Sequence, residues 1–203
     1  MDDFRGEFIN SYISYIQRDG ADRLLKWLEG TDFFTAPAST RHHLAREGGL
    51  LEHSLNVWKR FDALVRHEAG ASGAGSAFYE VSNETVAVCG LLHDICKADF
   101  YSTELRNAKD ERGQWVKVPY YAVSDQVPYG HGEKSVYIAS GFMRLSREEA
   151  MAIRWHMGGF DDTVKGGGYS MSEAWGKYPL AVLLHVADLQ ATYIDESTNG
   201  RSE

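Results

Sequence analysis

Apolar residues recur at helical spacing through most of this chain. Phe4, Phe8, Ile9, Tyr12, Ile13 and Ile16 make one stripe over 3–17, and Leu24, Leu25, Trp27 and Leu28 make a second over 21–29. TDFFTAPASTRHH then loses the period and reads as a loop punctuated by Pro37. The period returns over 48–68, GGLLEHSLNVWKRFDALVRHE, with Leu51, Leu55, Trp58 and Leu64 on the side that buries. GASGAGSA (70–77) has the composition of a flexible connection. Ser82 or Asn83 then caps a helix running through VAVCGLLHDICK. Residues 104–121 break the helical pattern and read as two short strands around the turn DERG. A helix over 132–142 follows YGHGEKS, and Ser146 with Glu149 forms a capping box that opens the helix through REEAMAIRWH. Residues 158–171 read as a Gly-rich loop, and the last helix starts near Pro179 and runs through LAVLLHVADLQATYI. These elements predict an all-α helical bundle with a small β-hairpin insert at about 104–121.

Composition narrows the class. At 203 residues, 43% of them apolar and 25% charged, the chain is expected to form a single globular domain over 1–203. Residues 1–36 read as an N-terminal helical cap on the domain's own core. The formal charge of −8 argues against sequence-independent nucleic-acid binding, stable duplex binding included, because that depends on clustered Lys and Arg. It leaves room for a small phosphorylated substrate drawn to a cation. Cys89 and Cys96 lie about 10 Å apart along one predicted helix, too far for a disulfide, so free thiols are expected. MDDFRGEFIN is neither basic nor apolar enough for a signal peptide, and no apolar run approaches a membrane span. A cytoplasmic protein is the expectation.

The candidate chemistry is a dispersed set of polar residues set into apolar segments: His53, the pair His93 and Asp94, His131, His156 and Asp188. One such histidine alone reads as a buried ring satisfied by a backbone carbonyl. The set reads differently, because burying carboxylates among leucines is costly without a cation or hydrogen bonds. Neutral imidazole and carboxylate are ligands for divalent ions, and six of them suffice for two ions with Asp94 free to bridge. Lys97 follows Asp94 by three positions and His93 by four, so on a continuing helix its ammonium lies over the same face. Arg41, His42 and His43 make a second basic cluster before the His53 helix. Glu52 either orients His53 or is solvated; His185 either lines a site or is structural; His67 reads as a surface residue.

GGLLEHSLNV, GLLHDICK and HVADLQAT together resemble the HD superfamily of metal-dependent phosphohydrolases over roughly 38–196. GGLLEH followed by LLHDICK is close to the pattern of HD-domain 3′–5′ exoribonucleases and related HD hydrolases. The resemblance implies that His53, His93, Asp94 and Asp188 hold one metal, and that His131 and His156 hold a second with Asp94 between the two. It implies two divalent ions drawn from Mn, Mg, Fe, Ni or Zn, and a phosphomonoester or phosphodiester of a nucleotide or short oligonucleotide cut by metal-activated hydroxide. Asp94, Lys97, His42 and His43 are then the catalytic candidates, and Lys97, Arg41 and His43 the substrate-binding ones. Two rivals share the ligand order: a di-iron oxygenase of the same fold, and a non-catalytic module that binds metal or ligand. The hairpin and the Gly-rich loop are the candidate substrate-selecting parts, where Tyr120, Tyr121, Tyr129, Phe160 and Tyr169 either stack on substrate or pack the loops.

Overall fold

A computed structural model describes residues 3–72 and 78–197. Nine helices and one hairpin follow in order among the described residues: α1 Phe4–Tyr15, α2 Ala21–Glu29, α3 Gly49–Ser72, α4 Asn83–Leu92, β1 Tyr101–Lys109, β2 Trp115–Val123, α5 His131–Ser140, α6 Arg147–Trp155, α7 Asp162–Lys165, α8 Ser170–Lys177 and α9 Leu180–Gln190. The all-α bundle with a small hairpin insert is what forms. The expected caps are present: Ser82 Oγ accepts from the Thr85 amide, and Ser146 and Glu149 make the full capping box.

Burial explains why these stripes fold together. Phe8 and Tyr12 of α1 and Leu24 and Leu28 of α2 share one apolar cluster with Leu50 and Leu55 of α3 and Leu91 and Leu92 of α4. A second cluster joins Val57 and Phe61 of α3 to Ala152 of α6 and Leu180 and Leu184 of α9. Helix α3 is the shared wall, and Trp58 packs on both clusters. Gly90 lets α4 close on that wall, because a Cβ there would stand 2.6 Å from Trp58 Cα. Gly132 does the same where α5 meets the backbone of α6. Both cysteines are free and buried.

Several boundaries differ from the expectation, each for a local reason. The helix expected to run through Lys97 stops at Leu92, and Ile95–Lys97 is a single 3₁₀ turn. The His93 ring takes the Gly90 carbonyl at 2.8 Å, the oxygen a continuing helix would give to the Asp94 amide. The Gly-rich loop is largely helical: a 3₁₀ turn at Gly158–Phe160, then α7, then α8. Asp161 caps α7 through the Thr163 amide at 2.9 Å and pairs with Arg154, a cap that outweighs the glycine content. The hairpin is longer than 104–121, pairing Tyr101 with Val123 at its base. The last helix turns into a π-turn over Ala191–Asp195. Of the connection expected at 70–77, residues 70–72 end α3 and 73–77 lie outside the described residues.

The segment after α1 is tied to α6 by a bidentate ion pair. Arg18 donates to both Glu149 oxygens at 2.7 and 2.8 Å, and Glu149 is 1% exposed. Burial pushes the Glu149 carboxyl up, but Arg18 and the Ser146 amide outweigh burial and hold it below the usual carboxylate range. A depressed folded pKa stabilises fully above the unfolded value of about 4.3 and is lost as pH falls through the folded value. Arg18→Ala is therefore expected to cost about 3 kcal/mol at pH 7, because it strands a buried carboxylate. The gap between parent and variant in urea unfolding should narrow at pH 3; a gap equal at both pH values would contradict this account.

Candidate metal centre

Five elements deliver the six singled-out residues to one place. His53 comes from the first half of α3 and Asp188 from α9; His93 and His156 follow the last turns of α4 and α6; His131 is the first residue of α5; Asp94 follows His93. Three of the ligands thus sit at helix ends, where the ring can leave the helix axis without breaking packing. His53, His93, Asp94 and His156 are each no more than 2% exposed.

Asp94 is the hub. Its Oδ1 stands 2.6 Å from His131 Nε2 and 3.4 Å from His156 Nε2. Its Oδ2 stands 3.6 Å from both His53 Nε2 and His93 Nε2 and 2.6 Å from Lys97 Nζ. Asp188 Oδ1 lies 3.3 Å from His53 Nε2.

The tautomers follow from the other ring nitrogens. His93 Nδ1 faces the Gly90 carbonyl at 2.8 Å and His156 Nδ1 the Ile153 carbonyl at 2.6 Å, and a carbonyl only accepts. His53 Nδ1 faces the Glu196 carboxylate at 3.0 Å. Each Nδ1 carries the proton, so in the neutral ring each Nε2 presents a lone pair. These lone pairs point at one another, with 3.3 Å between His53 Nε2 and His93 Nε2, and at carboxylate oxygens. His156 Nε2 is fully buried with no hydrogen-bond partner among the described residues. Acceptors meeting acceptors in a buried space repel unless a cation sits among them. The donor set therefore fits divalent ions, and among the described residues four overlapping groups offer ligands: His43, His53 and Glu196; His53, His93 and Asp188; His93, Asp94 and His156; Asp94, Cys96 and His131.

Electrostatics state the same demand. Burial opposes charge on His53, yet Asp188 and Glu196 outweigh burial and raise it to about 9. Burial also opposes charge on His131, but its neighbours Cys96 and Asp94 outweigh burial and raise it to about 10. His93 is pushed down to about 3, chiefly by burial. Burial works against the Asp94 and Asp188 carboxylates as well, but neighbouring cations hold both well below the usual range. Protons and metal thus compete for the same nitrogens, so affinity for metal falls as the solution is acidified.

The centre forms part of the lining of an open cavity of about 860 Å³. Lys97, His42 and His43 line it together with Tyr101, Phe160 and Tyr193, whereas Arg41 is exposed and does not. Lys97 reaches the cavity from the 3₁₀ turn rather than from a continuing helix. Burial, then the positive neighbours His53 and Lys97, lower His43 to about 4, so it is uncharged at neutral pH. Glu52 pairs with Arg46 on the surface instead of orienting His53. His185 is structural: its Nδ1 donates to the His156 carbonyl at 2.6 Å and its ring packs on Trp175. His67 is exposed. Of the aromatics singled out for stacking, only Phe160 lines the cavity; Tyr129 stacks on Tyr137 outside it.

Two further residues contribute that carry little signal in the sequence. Glu196 grips His53 Nδ1 and is itself held by Asn56 Nδ2 at 3.1 Å. Such a partner fixes the tautomer and the direction of a ligating ring. Its only signal in the sequence is an acid two helical turns beyond Asp188. Cys96 places its Sγ 3.5 Å from His131 Nδ1.

A family model described as HD domain matches residues 50–191. That span holds all six convergent residues and Lys97, and stops short of His43 on one side and Glu196 on the other. No curated protein and no solved structure matches the chain.

Proposed function

Because this chain belongs to the HD-domain family, we propose that its cavity hydrolyses a phosphomonoester or phosphodiester of a nucleotide or short oligonucleotide. Membership implies metal-dependent hydrolase-type chemistry in general; the substrate and the residue roles are our reading. The observation that carries it is the convergence of three buried Nε2 lone pairs and two carboxylates beside Lys97 on an open cavity.

His53, His93, Asp94 and Asp188 are the residues that would hold one ion, and Asp94, His131 and His156 a second. When bound, such ions supply Lewis-acid charge neutralisation and acidify a water for attack on phosphorus. The chain's own groups do the rest. Asp94 keeps Lys97 charged at 2.6 Å, and the ammonium meets a phosphoryl oxygen as a point charge. Glu196 holds His53 by its Nδ1 proton, so Nε2 stays turned toward Asp188. His43 is uncharged and can donate a neutral hydrogen bond to the ester. His42 is exposed and lines the same cavity, and we assign it the proton for the departing oxygen. Phe160 and Tyr101 line the cavity and can face a base or sugar.

The test is elemental analysis of the protein as purified, followed by a panel of phosphate esters with several divalent ions. Bis-p-nitrophenyl phosphate, mononucleotides, cyclic dinucleotides and short oligonucleotides span the class. Phosphate or nucleotide release that needs the ion and stops on chelation is the expected result. Bound iron with oxygen uptake and no ester cleavage would replace this reading with an oxygenase. Tight metal binding with no turnover of any ester would replace it with a binding module.

A further inference from the structure

The hairpin is asymmetric in charge, and one of its faces leads into the cavity. Opposed residues of an antiparallel pair point the same way. Odd-numbered positions of β1 and of β2 therefore share one face, and even-numbered positions share the other. The even face is closed on itself: Tyr120 Oη donates to Glu104 at 2.8 Å and Arg106 sits over the Tyr120 ring. The odd face carries Lys109, Lys117 and Trp115, and no aspartate or glutamate at any of its positions. Neither lysine has an ion-pair partner among the described residues; Lys109 lies over the Trp115 ring at 5.4 Å. Trp115 is 70% exposed. At the base of the same face, Tyr101 and Val123 line the cavity. Tyr101 Oη also donates to the Ala38 carbonyl at 3.4 Å, which anchors that end to the body.

On a chain of net charge −8, an acid-free face bearing two lysines and an exposed indole calls for a polyanion with flat rings. We propose that this face is a rail for single-stranded nucleic acid, which it feeds toward Lys97. The proposal rests on the phosphohydrolase reading and narrows its substrate to a strand rather than a mononucleotide. Eight strand steps of roughly 3.3 Å make a rail of about 26 Å, enough for several nucleotides. Lysines track the backbone and the indole offers a stacking platform that tolerates any base. Leu105, 63% exposed, pairs with Pro119 at the middle of the same face, but protein interfaces are depleted in lysine, and two lysines without ion-pair partners among the described residues, beside an indole, suit a strand better.

The experiment measures two quantities in the metal-loaded full chain. The first is binding of a fluorescein-labelled oligothymidylate of about ten nucleotides, by anisotropy across a salt series. The second is turnover of bis-p-nitrophenyl phosphate, an ester too short to reach the hairpin. Trp115→Ala and the pair Lys109→Gln and Lys117→Gln are expected to weaken oligonucleotide binding about tenfold each, within the range for one stacking platform or two phosphate contacts. The lysine pair should also flatten the salt slope by about 1.4, or 0.7 per contact on a single strand. Small-ester turnover should stay within about twofold, as neither variant touches the metal centre. Unchanged oligonucleotide binding and salt slope in both variants would overturn the rail. So would a concentration-dependent dimer that Trp115→Ala abolishes, since the face would then be a contact between copies. Failure of the phosphohydrolase reading would look different: no ester turned over at all, with strand binding still scored on its own.

Discussion

Asp94→Ala is expected to lose its metal and to turn over any ester at least about 10³-fold more slowly, the upper range for removing one stabilising group. No other side chain in the centre touches so many partners. Its two oxygens reach His131, His156, His53, His93 and Lys97 within 3.6 Å. Removing them breaks both candidate ion positions at once and leaves a buried ammonium uncompensated. Asp94→Asn keeps the shape and some hydrogen bonding but not the charge, so it should lose metal as fully and fold better. Elemental analysis, ester turnover and thermal unfolding with and without chelator read the three effects. In the parent protein, chelation should lower the melting temperature, because bound metal stabilises the folded state by mass action. In Asp94→Ala the chelator should change nothing. A variant that keeps stoichiometric metal and parental turnover would dismantle the centre as argued.

The second large effect is expected at a residue with no chemistry. A Cβ on Gly132 would collide with the Arg154 carbonyl oxygen and stand 2.8 Å from that of Ile153. Both obstacles are backbone, so neither can swing aside as a flexible side chain would. Gly132→Ala must therefore push α5 away from α6, at about 3 kcal/mol, the upper range for overpacking. His131 and His156 sit on the two sides of that joint, and both must reach Asp94 Oδ1. Metal stoichiometry is expected to fall while His53 and Asp188 retain their share. Gly176→Ala is the matched control: nothing among the described residues lies within 4 Å of the point its Cβ would occupy, so stability should hold or rise slightly. Equal behaviour of the two variants in urea titration would refute the packing argument.

The sequence was most legible where periodicity and burial agree. The stripes of α1, α2 and α3 and the caps at Ser82 and Ser146 follow from spacing and side-chain chemistry alone. The six residues of the centre were legible for the opposite reason, being polar where the pattern demands apolar. The end of α4 was not, because it depends on which carbonyl the His93 ring takes, and this is decided in three dimensions. Glu196 was not legible either: the π-turn over Ala191–Asp195 shifts the helical register, so counting turns from Asp188 does not foretell that the two carboxylates flank one ring. The Gly-rich stretch misled because a single capping aspartate, Asp161, organises it more strongly than the glycines loosen it.

The pairing of Tyr101 with Val123 closes the chain on itself between Lys97 and His131. What leaves the bundle returns about 5 Å away. Rungs can therefore be added to or taken from this ladder without displacing either end. The part of the molecule facing outward can drift, lengthen or be swapped while the chemistry beneath it stays fixed, so new preferences can evolve here without rebuilding the engine.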